Sequence, residues 1–128
     1  MFRISKEFRF EAAHRLPELP DGHQCARVHG HSYSVQILLT AEGLRGPGFV
    51  VDFAELSPVK AYIDSTLDHR FLNDVFDFAA TSELLAQHFY QWCSAHLSLP
   101  DGVSVERVRV SETASTYAEY QPAAGAYR

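Results

Sequence analysis

Hydrophobic and polar residues alternate along two stretches in the first third of the chain. The apolar positions are Phe2, Ile4, Phe8 and Phe10 in the first stretch and Tyr33, Val35, Ile37 and Leu39 in the second. A period of two places successive side chains on opposite faces of a strand. The pattern therefore predicts two strands, the first continuing to His14, joined by a loop rich in Pro, Asp and Gly.

A first helix is predicted near the middle of the chain. The segment Asp52-Phe-Ala-Glu55 resembles a capping box, but that start would put Pro58 inside the helix, where it lacks a backbone donor. We therefore expect Ser57 to be the N-cap and Pro58 to be the first helical residue. This helix should end near Leu67. Its buried residues are expected to be Val59, Ile63 and Leu67.

A second helix is predicted to begin at Thr81 or Ser82 and to end near Leu97. Its apolar residues recur at helical spacing and are expected to pack into the core. They are Leu85, Phe89 and Trp92.

Two further strands are predicted after the turn Pro100-Asp101-Gly102. The third strand carries Val103, Val105, Val108 and Val110. Its alternation shifts phase at Glu106-Arg107, which indicates an irregularity such as a bulge. A shorter fourth strand is expected from Thr116 to Tyr120. Two strands, two helices and two strands favour an α+β fold, with an antiparallel sheet and helices on one face.

The composition predicts a single soluble globular domain spanning residues 1–128. Hydrophobic residues make up 46% and charged residues 21% of the chain, so a core can form without a disulfide or structural metal. Any metal found here is therefore expected to be functional. Sixteen acidic against eleven basic residues give a net charge of −5, which argues against nucleic acid as a partner.

The location of the protein is expected to be the cytoplasm. No stretch approaches the roughly 18 apolar residues of a membrane span, and the start of the chain does not resemble a secretory signal. The two cysteines, Cys25 and Cys93, are then expected to be reduced thiols. Residues 1–31 carry a small basic excess that could accommodate an anionic ligand, although a solvated strand face is the simpler explanation of the charge alone.

Histidine is the residue type that points to chemistry. His29 and His31 are two apart in an extended segment, so their rings project from the same face about 6.5–7 Å apart. If the first two strands pair antiparallel, His14 reaches the same place. Three neutral imidazoles without a fourth protein ligand form a catalytic type of metal site with an open position, for which zinc is the best candidate.

Cys25 precedes this pair in the arrangement Cys-x-x-x-His-Gly-His. A thiol close to a dication and to histidines should lose its proton more easily than a free cysteine, which makes it a candidate base or nucleophile. It could instead be a zinc ligand. Cys93 is expected to be an inert core residue.

The ordered motifs between residues 8 and 113 closely resemble the bacterial 6-carboxy-tetrahydropterin synthases, which belong with the 6-pyruvoyl-tetrahydropterin synthases. These motifs are Phe10-Glu-Ala-Ala-His14-Arg-Leu-Pro17, Gly22-His-Gln-Cys25, His29-Gly30-His31, Asp52-Phe-Ala-Glu-Leu56, Leu67-Asp-His69, Leu72-Asn-Asp74, Thr81-Ser-Glu83 and Glu112-Thr113. The resemblance implies the tunnelling fold, a four-stranded antiparallel sheet with two helices inserted between strands 2 and 3. It also implies trimers that close a β-barrel and stack into a homohexamer, with active sites at subunit interfaces.

The same resemblance implies a reaction and a set of residues. The reaction converts 7,8-dihydroneopterin triphosphate to 6-carboxy-5,6,7,8-tetrahydropterin, releasing acetaldehyde and triphosphate, on the route to queuosine. Zinc would bind to the three histidines, and Cys25 and the Asp68-His69 pair would transfer protons. Glu112 would hold the pterin. The resemblance also offers Thr81, Ser82 and Arg27 as substrate-binding residues, although N-capping explains the first two as well.

Three alternatives stay open at this point. The first is 6-pyruvoyl-tetrahydropterin synthesis, although proteins with that activity usually have a longer spacer between the cysteine and His-Gly-His. A folate-pathway relative would be expected to have Glu at position 25. A zinc- or pterin-binding assembly module without activity is a third reading. The chain departs from the family pattern at Ala80, where Pro is common, and after Thr113.

Overall fold

The computed structural model describes residues 1–124, which form one twisted sheet with helices packed against one of its faces. The five strands are β1 (Phe2–His14), β2 (His29–Ala41), β3 (Arg70–Phe71), β4 (Val103–Thr113) and β5 (Thr116–Tyr120). Their order across the sheet is β3-β1-β2-β4-β5. The long strands β1, β2 and β4 pair antiparallel, as does β4 with β5.

The expectation of a four-stranded, purely antiparallel sheet was wrong by one short strand. β3 pairs in parallel with β1 through two residues only, Ala12 and Ala13, so the described sheet is mixed and has five strands. Two residues are too few to show an alternating pattern, and this strand forms because the chain passes the end of β1. Its pairing is therefore set by tertiary structure, not by local sequence.

The α-helices number three in the described residues, not the expected two. They are α1 (Ser57–Tyr62), α2 (Leu72–Val75) and α3 (Ser82–His96). The additional helix α2 is a single turn, which is too short to produce a helical repeat of apolar residues. Short 3₁₀ helices occupy Gln24–Ala26 and Phe53–Leu56, and a π-helical turn, Ile63–Leu67, continues α1.

The predicted N-cap of the first helix was also wrong. Ser57 is already helical, and the cap position is Leu56, because the 3₁₀ turn runs directly into α1. Asp52 starts that 3₁₀ turn by accepting a 2.9 Å hydrogen bond from the backbone of Ala54. Pro58 lies in the first turn of α1, where its missing N–H leaves no bond unmade. The predicted end at Leu67 is confirmed.

The bulge predicted from the phase shift in the third strand is confirmed. Leu38 of β2 lies opposite Arg107, but Leu39 lies opposite Val105, so Glu106 is the extra residue. The insertion keeps both Val105 and Val108 on the buried face although they are three positions apart.

The core lies between the sheet and the helices. Phe10 of β1 stacks on Tyr33 of β2 at 4.9 Å between ring centroids and also meets Phe89 of α3 at 6.3 Å. Leu85 and Phe89 are fully buried as expected, whereas Trp92 is only partly covered. Within residues 1–124, no helix is both long enough and apolar enough to cross a membrane.

Candidate active site

The end of the β1–β2 pair brings three imidazole rings together. His14 lies directly opposite His29 in the ladder, and His31 lies opposite Ala12, so all three side chains share one face of the sheet. The ring centroids are 4.5–5.1 Å apart. One nitrogen from each ring lies within 4.8 Å of the others. The convergence expected from an antiparallel pairing is therefore present.

Hydrogen bonds fix the orientation of two of these rings. Nδ1–H of His14 donates to the carbonyl of Ala80 at 2.8 Å, and Nδ1–H of His29 donates to the carbonyl of Arg27 at 2.7 Å. Because a carbonyl can only accept, each ring carries its proton on Nδ1 and keeps the Nε2 lone pair free. Nε2 of His31 is buried and has no hydrogen-bond partner among the described residues.

Burial favours the neutral form of the innermost ring. The side chain of His14 is 1% exposed, and this desolvation lowers its pKa from the ordinary value of 6.5. The hydrogen bond to Ala80 opposes this shift, and so does the carboxylate of Glu112, which lies 4.0 Å from Nε2 of His14. The same carboxylate lies 3.5 Å from Nε2 of His31. Three imidazole nitrogens within 4.8 Å of one another, with Nε2 of His31 buried and without a partner in the described residues, fit a divalent ion such as zinc.

His31 lies where two grooves meet. The first has a volume of about 620 Å³ and is lined by Ser32, Ser111 and Glu112; the second, of about 490 Å³, is lined by Glu11 and His69. Both volumes are in the range of pockets that hold small molecules. The pterin-binding candidate Glu112 and the proton-transfer candidate His69 therefore line two grooves that share the candidate metal ligand His31.

The Asp68-His69 pair is held by the backbone of β1. Oδ2 of Asp68 lies 3.0 Å from Nδ1 of His69, and Oδ1 accepts from the N–H of Glu11 at 2.9 Å. These two bonds, the backbone one first, lower the pKa of Asp68. His69 has a φ of +59°, and its N–H is bonded to the carbonyl of Glu11. Its side chain is 77% exposed, so the imidazole is presented outward.

Cys25 lies on the loop between β1 and β2, half-buried. Its N–H donates to Nδ1 of His23 at 3.0 Å, and its carbonyl accepts from the N–H of Leu16 at 2.9 Å. Among residues 1–124, the group of converging metal-binding atoms contains the three histidines and not the Cys25 sulfur. The candidate ligand set in the described residues is therefore the three histidines without Cys25.

The remaining predicted site residues lie apart from the two grooves. Thr81 is the N-cap of α3 and accepts from the N–H of Leu84 at 3.2 Å, as the capping interpretation expected. Ser82 follows as the first residue of the helix. Arg27 is exposed, and its carbonyl holds His29. Within the described residues, neither groove is lined by Cys25, Arg27, Thr81 or Ser82.

Sequence reasoning missed two contacts that hold the site. The carbonyl of Ala80 orients His14, but a backbone group leaves no mark on the sequence. The hydroxyl of Ser32 donates to Glu11 at 2.6 Å, next to His31. The only available signal for this pair was its place in the alternation of the two strands.

Fold and site together define an α+β protein with a three-imidazole centre and, in a groove that His31 also lines, the histidine of a carboxylate–histidine pair. The family model described as 6-pyruvoyl tetrahydropterin synthase matches residues 3–123. The chain belongs to this family, and the expectation that it is an enzyme is confirmed.

Relatives of the chain are similar over nearly their whole length. It is 34% identical to a 6-carboxy-5,6,7,8-tetrahydropterin synthase of Bacillus subtilis, covering 97% of this chain and 88% of the relative. It is 36% identical to the protein of the same name from Synechocystis, covering 94% of this chain and 93% of the relative. The structure of Caenorhabditis elegans 6-pyruvoyl tetrahydropterin synthase matches with a TM-score of 0.81 at 26% identity. The match covers 95% of this chain and 96% of that structure.

Proposed function

We propose that the chain is a zinc-dependent 6-carboxy-5,6,7,8-tetrahydropterin synthase. In this reaction 7,8-dihydroneopterin triphosphate and water give 6-carboxy-5,6,7,8-tetrahydropterin, acetaldehyde and triphosphate. The observation that carries the proposal is the convergence of three imidazole nitrogens next to a loop in which Cys25 precedes His29 by four positions. The relatives named for this activity support it.

His14, His29 and His31 would hold the zinc ion through their Nε2 atoms. The backbone carbonyls on Nδ1 of the first two rings fix the ring orientation and the tautomer in which Nε2 is the free ligand atom. When bound, zinc supplies a Lewis acid that stabilises negative charge developing on side-chain oxygens of the substrate.

Cys25 would move protons on the substrate side chain. Its backbone is fixed on both sides, by His23 and by Leu16, so the thiol is attached to a defined point of the loop. The thiolate form of a cysteine is the form that accepts a proton from a substrate. Alanine at this position would have no group that can exchange a proton.

The Asp68-His69 pair would be the second proton-transfer group. Asp68 accepts from Nδ1–H of His69 and leaves Nε2 as the atom that exchanges a proton. The N–H of Glu11 holds the other carboxylate oxygen, so the pair is anchored to the strand that also carries His14.

Glu112 would bind the pterin ring. A carboxylate can accept two parallel hydrogen bonds, from a ring N–H and from the exocyclic amine, as it does from a guanidinium. Its position 3.5 Å from Nε2 of His31 would place the ring next to the metal. Arg27 is the candidate for the triphosphate because it is a basic residue beside the histidine motif. Thr81 and Ser82 are further candidates for substrate binding through backbone or hydroxyl groups.

Assembly into a homohexamer of two trimers is part of the same proposal. β1 is covered by β3 only at Ala12 and Ala13, so within the described residues most of its outer edge is unpaired. Pairing of this edge with β5 of another copy would close a barrel and remove both open edges. The outward-facing His69 would then contribute to a site shared between copies.

The pathway and the compartment follow from the proposed product. A carboxypterin is a precursor of deazapurines such as queuosine. Both cysteines are free in the described residues. A reducing compartment keeps a catalytic thiol available, which supports the cytoplasm.

The alternative product is the 6-pyruvoyl tetrahydropterin. The likeness to the Caenorhabditis elegans structure favours it, whereas the short spacer between Cys25 and His29 and the names of the bacterial relatives favour the carboxy product. Retention of Cys25, the Asp68-His69 pair and Glu112 together argues against a non-catalytic module.

Mass spectrometry of the products distinguishes these functions. The zinc-loaded protein would be incubated with dihydroneopterin triphosphate, and acetaldehyde would be trapped as a hydrazone. A carboxypterin with acetaldehyde supports the proposal. A pyruvoyl product would establish the alternative, and an unchanged substrate would contradict both.

A further inference from the structure

A side chain of α2 continues the pairing of β3 with β1. β3 pairs with Ala12 and Ala13, and then the backbone turns away into α2. Continuing the same register would place Asn73 opposite Arg15. At that position the carboxamide takes the place of a peptide group. Its Oδ1 accepts from the N–H of Arg15 and its Nδ2 donates to the carbonyl of Arg15, both at 2.9 Å.

Arg15 is the residue at which two parts of the site meet. It directly follows His14, and the β1–β2 ladder ends at the pair His14–His29, so the ladder offers Arg15 no partner. The next residue, Leu16, donates its N–H to the carbonyl of Cys25. A fixed Arg15 backbone therefore fixes both the attachment point of the His14 ring and the loop that returns Cys25 to the strand.

The geometry points to Asn73 as a positioning residue for the metal ligand His14 and for the loop of Cys25. This inference rests on the proposed metal site and adds to it a side chain that touches neither metal nor substrate. The role requires a carboxamide, because only this group donates and accepts in one plane. A carboxylate of the same shape would still accept from the N–H of Arg15 but would face its carbonyl with a second acceptor.

Two isosteric exchanges at neighbouring positions test the inference. Asn73→Asp removes the donor to Arg15, whereas the control Asp74→Asn makes the reverse exchange at an exposed residue of the same turn. The zinc dissociation constant of each purified protein would be measured by competition with a chromophoric chelator. Direct hydrogen-bonding partners of metal ligands typically contribute about 10–100-fold in affinity, and Asn73 acts one residue away from His14, so Asn73→Asp should weaken zinc binding by about tenfold, the lower end of this range. Asp74→Asn should bind zinc like the wild type.

The reactivity of Cys25 gives an independent measurement. Iodoacetamide labelling of the zinc-free proteins, followed by peptide mass spectrometry, should show severalfold faster modification of Cys25 in Asn73→Asp because the loop is no longer held. The buried Cys93 serves as an internal reference for global unfolding. An unchanged rate at Cys25 would contradict the link from Asn73 to the loop.

The outcomes separate this inference from the proposed function. A wild-type protein that does not bind zinc would overturn the metal site, and the inference with it. If wild type and Asn73→Asp bind zinc with equal strength, the inference is overturned and the metal site stands. This holds whether or not the thermal midpoint of the zinc-free variant falls. Should Asn73→Asp fail to fold, Asn73→Ala removes both hydrogen bonds without adding charge and is expected to show the same loss of affinity.

Discussion

His14 and His29 are the last directly opposed pair of the β1–β2 ladder, and each ring donates its Nδ1 proton to a backbone carbonyl. A slip of one residue between these strands would turn one ring to the other face of the sheet. The stacked pair Phe10 and Tyr33, buried a few residues away, disfavours such a slip. The packing that sets the strand register therefore also sets the candidate metal centre.

Replacing one candidate ligand should strongly weaken zinc binding without unfolding the protein. His31→Ala removes the Nε2 atom that has no hydrogen-bond partner in the described residues. The affinity for zinc should fall by more than about 100-fold, which is the upper end of the loss typical when a hydrogen-bonding partner of a metal ligand is changed. Chelator competition measures the loss. His96→Ala, an exposed histidine at the end of α3, is the matched control and should bind zinc normally. Equal affinity of the two variants would exclude His31 as a ligand.

Cys25→Ala should abolish turnover and leave zinc and pterin binding largely intact. Turnover should fall by about 100-fold or more, as is typical when a proton-transfer group is removed, because the variant has no other thiol at this position. Turnover would be followed through acetaldehyde release. Cys93→Ala is the comparison: it creates a small cavity in the core and should lower stability while retaining turnover. Normal turnover in Cys25→Ala would remove this residue from the mechanism.

The sequence predicted the long elements of the fold because their patterns are long. The alternation of valines placed the irregularity at Glu106-Arg107, where the bulge lies, and helical spacing placed the start of α3 at Thr81 or Ser82. β3 and α2 were missed because two and four residues are too short to show a period. The start of α1 was misjudged since Asp52 caps a 3₁₀ turn that runs into the helix, which the position of Pro58 alone does not reveal.

The sequence predicted the parts of the candidate site that side chains form, but not the contacts made by the backbone. The spacing of His29 and His31, with an antiparallel partner strand, sufficed to bring His14 to them. The sequence departs from the family at Ala80, yet the interaction there uses the backbone carbonyl, which any residue supplies. Asn73 stood within a recognised motif, but its role depends on the register of β3, which no local pattern encodes.

Glu112→Gln should weaken pterin binding more than zinc binding. The amide retains one acceptor but replaces the other with a donor, so one of the two hydrogen bonds to the ring becomes unfavourable. An expected loss of about tenfold or more in pterin affinity can be measured by fluorescence titration. The control Glu119→Gln changes a carboxylate on β5 that pairs with Arg109 and should leave both affinities unchanged. Parallel loss of pterin and zinc would indicate a folding role for Glu112.

The stability of the zinc-free protein should fall as the pH decreases through the histidine range, in part because of His88. This ring is packed against Phe76, Phe78 and Phe89 and hydrogen-bonded to the hydroxyl of Tyr62 at 2.6 Å. Burial lowers its pKa from the ordinary value of 6.5, so below that pH the unfolded chain takes up a proton that the folded protein does not.

The contribution of His88 is therefore fully present above the unfolded value and is lost as the pH falls towards the folded one. His88→Gln keeps an acceptor for Tyr62 but does not titrate, so its free energy of unfolding should depend less on pH between about 5 and 8. Denaturant unfolding at several pH values measures this difference. The buried His14 has a shift of the same sign and is present in both proteins, so the difference in slope isolates His88. Parallel profiles would show that His88 binds its proton equally in both states.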